Sequence, residues 1–456
     1  MSDTEALMWA VEKDPALRSD FCNLTILDRV PDDDRMRHTV ERAVAAIPRL
    51  GQRVVSAPLR IAPPAFTDDP TLDLASHVRR VAVPGRGTHR DLLDLCGAIA
   101  ERPFDRARPL WEFTLIEGLQ DGRAALLQKI HHTITDGVGG LRLSLAFVDF
   151  EPDGPADAKA SVTPIAPAEG DTPLHAARTA VLDAATRNVA LARRMIGDAS
   201  HVATHPTELP GRAADTVRLL RSLQRQLLTT DPARSDLMAG RSLARHFETY
   251  TLPLPRLLSA AHNLGGSIND AYVTGLAGAL GRYHERGGSP VDELRLAMPV
   301  STRAGRGDDA ANRFVPARVV IPIEPCADSA KLFELVRERI VAARGETAID
   351  AAEGLAMMVT GLPTAFLVAI TRAQTRTTDF AATNLRGSPL PLFIAGVPVL
   401  ANFPFGPRTG TALNATVLSY CEDLNLGFNI DPAAIVDVDV FMADVAESFD
   451  MLMEHA

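Results

Sequence analysis

The sequence contains little cysteine. Its 456 residues include four cysteines, which lie far apart at positions 22, 96, 326 and 421. No CxxC pair occurs, so neither a zinc knuckle nor a disulfide framework is indicated. The N-terminal stretch "MSDTEALMWAVEKD" has no basic segment leading into an apolar one, so no export signal is predicted. We therefore expect a cytoplasmic protein.

An excess of positive charge is also missing. The formal net charge is -10 at pH 7, so the phosphate backbone of a nucleic acid would be repelled and no nucleic-acid partner is expected. Three catalytic signatures are absent as well. The chain has no GxxxxGK[ST] phosphate loop, no GxSxG nucleophile elbow and no HExxH zinc helix. These absences disfavour a nucleotide hydrolase, a serine hydrolase and a zinc protease.

A long uncharged helix is lacking too, although one run has the length to cross a bilayer. The segment "GSPLPLFIAGVPVLANFPFGP" between Arg386 and Arg408 carries no charge. Five prolines within it would break a helix repeatedly, and each break would leave backbone groups unpaired in lipid. The run is instead predicted to form short buried strands joined by turns.

Composition divides the chain into three parts. Hydrophobic residues make up 46% and charged residues 23%, which is typical of a globular protein, and the length favours two or more domains. Residues 1–150 mix strand-like and helix-like patterns, and "HRDLLDLCGAIAERPF" is predicted to form a helix. Residues 151–245 begin as a Pro/Ala-rich linker and continue as basic amphipathic helices. Residues 246–456 form a second mixed block, in which "INDAYVTGLAGALGRYHERGG" is predicted to form a helix opened by Asn/Asp. The sequence predicts two α/β blocks joined by a linker and helices.

The middle part is unusually basic for an acidic chain. Between Leu174 and Leu228 arginines outnumber acidic residues about two to one. A basic amphipathic helix can lie on an anionic membrane surface. A solvated helix pair whose apolar stripe packs on the body of the protein explains the same pattern. Both interpretations remain open.

A histidine pair at the end of an apolar run points to chemistry. In "AALLQKIHHTITDGVGGLRL" the run resembles a strand, so His131 and His132 would point to opposite faces. One would face the core and the other a cleft, with Asp136 following after a short turn and glycines allowing close approach. Histidine suits general-base work because its pKa lies near neutrality. A structural histidine, a metal site and chance are the alternatives, and the opposite faces disfavour a shared metal ion.

Several motifs together resemble a known family. "HHTITDG" fits the HHxxxDG motif of acyltransferases with the chloramphenicol acetyltransferase-like fold, a group that includes condensation domains. The chain is more closely similar to the bacterial wax ester synthase/acyl-CoA:diacylglycerol acyltransferase family over nearly its whole length. The further blocks are Pro109-Leu110-Trp111, Asn269-Asp270, "PVSTR" through Arg303, and "ATVLSYCEDLNLGFNID".

The resemblance implies an α/β (α+β) fold in which two chloramphenicol acetyltransferase-like domains form a pseudo-dimer around a tunnel. It implies transfer of an acyl group from acyl-CoA, as a co-substrate, to diacylglycerol or a fatty alcohol, with no cofactor and no metal. His132 would be the general base. The implied catalytic residues are His131, His132, Asp136, Gly137 and Asn269. The implied substrate-binding residues are Pro109, Leu110, Trp111, Asp270 and Asn384. Because such acceptors dissolve in membranes, peripheral contact with a membrane or lipid droplet is also expected.

Two departures from the family pattern concern the acceptor. "TNLRGSP", Thr383 to Pro389, stands where the family has Asn-Val-Pro-Gly-Pro. Gly51 stands where an arginine is expected, which leaves Arg49, Arg53 and Arg303 as candidate partners of Asp136.

Trp111 is equally compatible with a core position. Rival functions are an enzyme of the same fold that uses a carrier-bound donor or a non-lipid acceptor, and a non-catalytic lipid-binding relative.

Overall fold

A computed structural model of the chain describes residues 1, 3–56, 64–134, 146–152, 233–302, 313–344 and 364–456. The predicted middle part, residues 151–245, lies mostly outside the described residues, as do Asp136, Gly137 and Arg303. The boundaries proposed for the three parts therefore stay a prediction.

The described residues form helices and strands in a mixed order. The helices are α1 (Asp3–Val11), α2 (Asp33–Ala46), α3 (Leu74–His77), α4 (His89–Glu101), α5 (Leu254–Asn263), α6 (Ile268–Arg286), α7 (Ser329–Arg344), α8 (Thr364–Thr375) and α9 (Val438–Met453). The strands are β1 (Asp20–Leu27), β2 (Gln52–Val55), β3 (Ala65–Asp68), β4 (Val78–Ala82), β5 (Trp111–Glu117), β6 (Ala124–His131), β7 (His246–Pro253), β8 (Glu293–Thr302), β9 (Arg313–Pro322), β10 (Phe380–Leu385), β11 (Phe393–Ile394), β12 (Val397–Phe405), β13 (Leu413–Tyr420) and β14 (Asp423–Ile430).

Two six-stranded sheets carry the architecture. The first sheet has the order β11-β12-β1-β6-β5-β4, and the second has the order β7-β14-β13-β10-β8-β9. In the first sheet β1 runs antiparallel to both β6 and β12, whereas β4 and β5 are parallel. The two-sheet arrangement agrees with the predicted mixed fold of two similar domains.

The uncharged run at residues 387–407 forms strands, as predicted. It supplies β11 and β12, and β12 pairs with β1 from the start of the chain. The second block therefore contributes two strands to the sheet of the first block. Among the described residues no helix is both long and apolar enough to cross a membrane.

The first sheet has two differently covered faces. On one face Cys22, Leu24 and Ile26 of β1 pack against α4. On the other face Trp111 and Phe113 of β5 belong to an apolar cluster that includes α2. Because side chains alternate along a strand, each residue near the end of β6 is committed to one of these two environments.

Helix α4 also contacts the second sheet. Arg90 donates from Nη2 to the Phe247 carbonyl of β7 at 3.0 Å, and it pairs with Glu248. Gly97 permits this approach, since a Cβ atom there would lie 2.8 Å from the Arg245 carbonyl oxygen. The helix predicted from "HRDLLDLCGAIAERPF" is confirmed, and it joins the two blocks.

Candidate active site

The two histidines sit where β6 ends. His131 is the last residue of β6, and His132 begins a 3-10 turn, His132–Ile134. His131 is buried, whereas His132 is half-buried. The His132 amide donates to the Ser19 carbonyl at 3.1 Å, and its ring lies 5.1 Å from the ring of Phe21. The predicted strand and the opposite faces of the two side chains are confirmed.

His131 is fully engaged on the α4 face of the sheet. The Thr133 backbone amide donates to Nδ1 at 3.1 Å, so Nδ1 carries no proton. Nε2 therefore carries the proton and donates to Glu12 Oε1 at 2.6 Å. Both ring nitrogens serve structural hydrogen bonds, and the structure thus supports the structural interpretation of His131. Its inclusion among the catalytic residues stays a prediction.

The partner of His131 is itself fixed. Glu12 Oε1 also accepts from the Ser19 amide at 2.7 Å, and Glu12 Oε2 lies 3.2 Å from Arg106 Nη2. Ser19 in turn accepts from His132, so one short network holds both histidines. The sequence analysis missed Glu12 because 119 positions separate it from His131.

Arg49 holds the turn from the other side. Its Nη1 donates to the Thr133 carbonyl at 2.7 Å and to Glu5 Oε1 at 2.8 Å. Arg49 was one of the candidate partners of Asp136, and here it binds the backbone of the histidine turn and a carboxylate of α1. Since Asp136, Gly137 and Arg303 lie outside the described residues, the ion pair of Asp136 stays a prediction.

The environment of His132 keeps its imidazole neutral. Burial lowers the pKa of His132 from 6.5 to about 4, with a smaller electrostatic contribution from the neighbouring His131, while Glu12 and Asp20 act in the opposite direction. At pH 7 the ring is therefore unprotonated and can accept a proton. The same shift makes it a weaker base than a solvated histidine.

A buried ion pair lies directly beside the histidines. Asp20 faces His131 across β1 and β6, and Arg245 reaches it with Nη2 2.9 Å from Oδ1 and Nη1 2.8 Å from Oδ2. Burial alone raises the pKa of Asp20, but Arg245 and Lys129 outweigh it, and the pKa lies below its ordinary value. Nothing in the sequence pattern links two residues 225 positions apart, so this pair was also missed.

Asn269 lies at the start of α6. Its Nδ2 is buried and has no hydrogen-bond partner among the described residues, while its Oδ1 lies 3.5 Å from Asn384 Nδ2. A buried amide donor without a partner is costly unless a ligand uses it. The structure thus brings together two of the predicted site residues, Asn269 and Asn384, from α6 and β10.

Asp270 has a structural function at the same helix end. The sequence predicted a helix opened by Asn/Asp, but the N-cap is Ser267. Asp270 Oδ2 accepts from the Ser267 amide at 2.8 Å, which completes a capping box. Its proposed contact with substrate stays a prediction, and the cap accounts for its position.

The Pro109-Leu110-Trp111 segment packs beneath the histidine turn. Trp111 is fully buried, donates from Nε1 to the Leu50 carbonyl at 2.8 Å and stacks on His77. The Leu110 carbonyl accepts from the His131 amide at 3.0 Å. Pro109 and Trp111 also line a surface groove of about 360 Å³. Of the two interpretations of Trp111, the core position is the one that the structure supports, and substrate contact by these residues stays a prediction.

Comparisons with known proteins match most of the chain to the two domains of one protein family. Residues 1–272 match the model of the wax ester synthase/diacylglycerol acyltransferase catalytic domain, and residues 310–453 match that of the corresponding C-terminal domain. A Mycobacterium tuberculosis protein, provisionally named a diacylglycerol O-acyltransferase, is 33% identical over 468 residues, which cover 100% of this chain and 92% of the relative. Another such protein from the same organism is 28% identical and covers 95% of this chain and 92% of its own length.

Solved structures show the same fold. The wax ester synthase/diacylglycerol acyltransferase from Marinobacter aquaeolei VT8 superposes with a TM-score of 0.63 at 20% identity, covering 98% of this chain and 97% of that one. The first condensation domain of the calcium-dependent antibiotic synthetase gives a TM-score of 0.57 at 16% identity, covering 100% and 95%. At these identities the likeness concerns the fold alone.

Proposed function

The chain belongs to the wax ester synthase/diacylglycerol acyltransferase family and is an acyltransferase, and on that premise we propose its substrates and its base. The donor is a long-chain acyl-CoA, the acceptor is the hydroxyl of diacylglycerol or a fatty alcohol, and His132 is the general base. The observation that carries this proposal is the contrast at the end of β6, where a neutral, half-buried His132 follows a His131 that is committed to Glu12.

The proposed reaction balances through this one imidazole. His132 accepts the proton of the acceptor hydroxyl while the hydroxyl oxygen attacks the thioester carbonyl and forms the new C–O bond. The resulting oxyanion collapses, the C–S bond breaks, and the leaving CoA thiolate takes the proton back from His132. The products are an ester and free CoA, and the base returns to its neutral form.

Asn269 is the proposed stabiliser of the oxyanion. Its buried Nδ2 donor lacks a partner among the described residues, and it lies in the first turn of α6, where the helix dipole favours negative charge. A preorganised amide donor in such a position stabilises developing charge without reorganisation. Asn384, whose Nδ2 lies 3.5 Å from Asn269 Oδ1, would hold the Asn269 amide in its orientation.

The direct test is turnover by the purified chain. Radiolabelled palmitoyl-CoA is offered with diacylglycerol, hexadecanol or a lysolipid, and the products are resolved by thin-layer chromatography. His132→Ala should abolish nearly all turnover, and His262→Ala, at an exposed histidine of α5, is the matched control. Turnover with a palmitoyl carrier protein but not with palmitoyl-CoA would refute acyl-CoA as the donor. Lipid binding without turnover would refute the proposal that the chain catalyses acyl transfer.

Docking on a lipid surface is a separate part of the proposal. It is supported by the basic composition of residues 174–228, which lie outside the described residues. Arg193, Arg194, Arg218 and Arg221 changed together to Glu should abolish sedimentation with anionic liposomes. Unchanged sedimentation would leave the solvated helix pair as the correct interpretation.

A further inference from the structure

A row of neutral polar side chains crosses the first sheet on the face of His132. Asn23 Nδ2 donates to Gln128 Oε1 at 3.1 Å, and Thr25 Oγ1 donates to Asn402 Oδ1 at 3.1 Å. Asn23 Nδ2 also lies 3.4 Å from Thr25 Oγ1, which connects the two pairs. The row thus runs from β6 through β1 to β12.

Register and strand alternation place this row on the same side as the candidate base. Asn23 faces Gln128 across β1 and β6, and Thr25 faces Asn402 across β1 and β12. Phe21, two residues before Asn23 and so on the same face, contacts the His132 ring. Neighbouring positions along one strand face are roughly 7 Å apart, so the row begins within one small molecule's length of the base.

The row borders on space and is not sealed in the core. Phe113, which faces Gln128 on the next strand, is fully buried. Asn23, Asn402 and His132 are half-buried in contrast, and the buried Gln128 and Thr25 are the side chains to which the two half-buried amides are bonded. The accessible side of this face therefore extends from His132 toward β1 and β12.

The bonds within the row leave donors for a ligand. They use the oxygens of Gln128 and Asn402, so the amide nitrogens of both side chains can still donate. A ligand that expels water from here must offer acceptor oxygens, or these donors lose their partners and the ligand binds more weakly. A simple fatty alcohol has no oxygen beyond its reacting hydroxyl. A partial ester of glycerol carries ester carbonyls beside that hydroxyl.

We propose that Asn23, Thr25, Gln128 and Asn402 form the subsite for the head of the acceptor and select an acylglycerol over a simple long-chain alcohol. This inference rests on the proposed transfer to a lipid hydroxyl and names which of its two acceptors the site favours. The ester carbonyls replace water on the amide row while the free hydroxyl reaches His132. A site built to hydrogen-bond a substrate discriminates strongly against an analogue that lacks the bonding group.

The experiment compares the kcat/KM of diacylglycerol with that of hexadecanol at saturating palmitoyl-CoA. Thr25→Val and Asn402→Leu should each lower this ratio by about tenfold to a hundredfold, because the wild-type preference depends on the paired amides. Thr25→Ser, which keeps the hydroxyl, should retain the ratio. Thr251→Val is the matched control, since it removes a Thr–Asn bond of 3.0 Å to Asn425 in the second sheet.

The outcomes separate the subsite from the reaction. An unchanged ratio in Thr25→Val and Asn402→Leu, with both acceptors still turned over, overturns the subsite and leaves the transferase proposal intact. An equal loss on both acceptors with a lower Tm identifies a structural role and also overturns it. A rise confined to the KM of palmitoyl-CoA assigns the row to the donor instead. Absence of turnover by the wild-type chain on either acceptor overturns both proposals together.

Discussion

The two faces of the first sheet use polar groups in opposite ways. The face toward α4 carries buried carboxylates that are each engaged, namely Asp20 in an ion pair with Arg245 and Glu12 in a hydrogen bond from His131. On the same face the buried Lys129 donates to the Arg102 carbonyl. The face of His132 carries neutral groups, of which the Asn23 and Asn402 amides are half-buried while Thr25 and Gln128 are buried.

This difference separates the residues that hold the sheet together from those that can interact with a substrate. Buried charges that are paired in good geometry resist rearrangement, because breaking a pair strands a charge in a low-dielectric interior. Neutral groups can exchange protein partners for substrate at lower cost. The charged face therefore fixes the backbone at the end of β6, and the neutral face is the one on which the proposed base lies.

The most direct test of the difference between the two faces is to change one histidine at a time. His132→Ala should lower kcat by about 10²–10⁴ with Tm retained, because the proposed proton transfer is lost while the backbone bond from the residue 132 amide to the Ser19 carbonyl stays. His131→Ala should instead lower the free energy of unfolding by about 1–3 kcal/mol, because Glu12 and Thr133 lose a buried partner. Kinetics and thermal melts of both variants measure this. A loss of Tm in His132→Ala equal to that in His131→Ala would end the distinction between the faces.

The charged face can be broken directly at its ion pair. Arg245→Met should lower the free energy of unfolding by about 3–5 kcal/mol, because Asp20 is left buried and unpaired. Asp20→Asn combined with Arg245→Met should recover part of the loss. Arg29→Met is the control, since its pair with Asp28 is exposed and contributes at most about 1 kcal/mol. Denaturant unfolding measures all three, and equal effects of Arg245→Met and Arg29→Met would contradict the paired-face argument.

Asn269, at the start of α6, is the other neutral side chain proposed to act in the reaction. Asn269→Ala should lower kcat by about 10²–10³, the loss typical of one oxyanion donor. Asn384→Ala should have a smaller effect, because it removes only the contact at Asn269 Oδ1. Single-turnover kinetics with palmitoyl-CoA separate the chemical step from binding. A larger loss in Asn384→Ala would make Asn384 the primary donor and Asn269 its support.

The sequence carried the local elements well, because their signals are local. The alternation along Ala124–His131 predicted a strand with its histidines on opposite faces, and the structure confirms both. The helix of residues 268–286 was also predicted, although its cap is Ser267, not the Asn-Asp pair. Serine at an N-cap is a common signal that was present in the sequence and was passed over.

The long-range parts were beyond a single sequence. The pairing of β12 with β1 joins Thr25 to Asn402, which lie 377 positions apart, and no periodicity encodes that choice of neighbour. The same holds for Glu12 with His131 and for Asp20 with Arg245. What the pattern showed was which residues have chemistry to offer. It did not show which of these residues would form hydrogen bonds or ion pairs with each other.

The smallest expected effect tests how far the charged face tunes the neutral one. Because burial lowers the pKa of His132 to about 4, the neutral base is present above that pH, and kcat/KM should fall as pH drops through about 4. The folded pKa lies below the unfolded value of 6.5, so this group's contribution to stability is complete above 6.5 and is lost as pH falls toward 4.

The negative charge of Glu12 raises the pKa of His132, so Glu12→Gln should move the acid limb of the kcat/KM profile to lower pH. Arg106→Gln is the control for the loss of the Glu12 ion pair. An acid limb near 6.5 in the wild type would contradict the effect of burial on His132. An unchanged limb, or a shift to higher pH, in Glu12→Gln would contradict the effect of the Glu12 charge on the base.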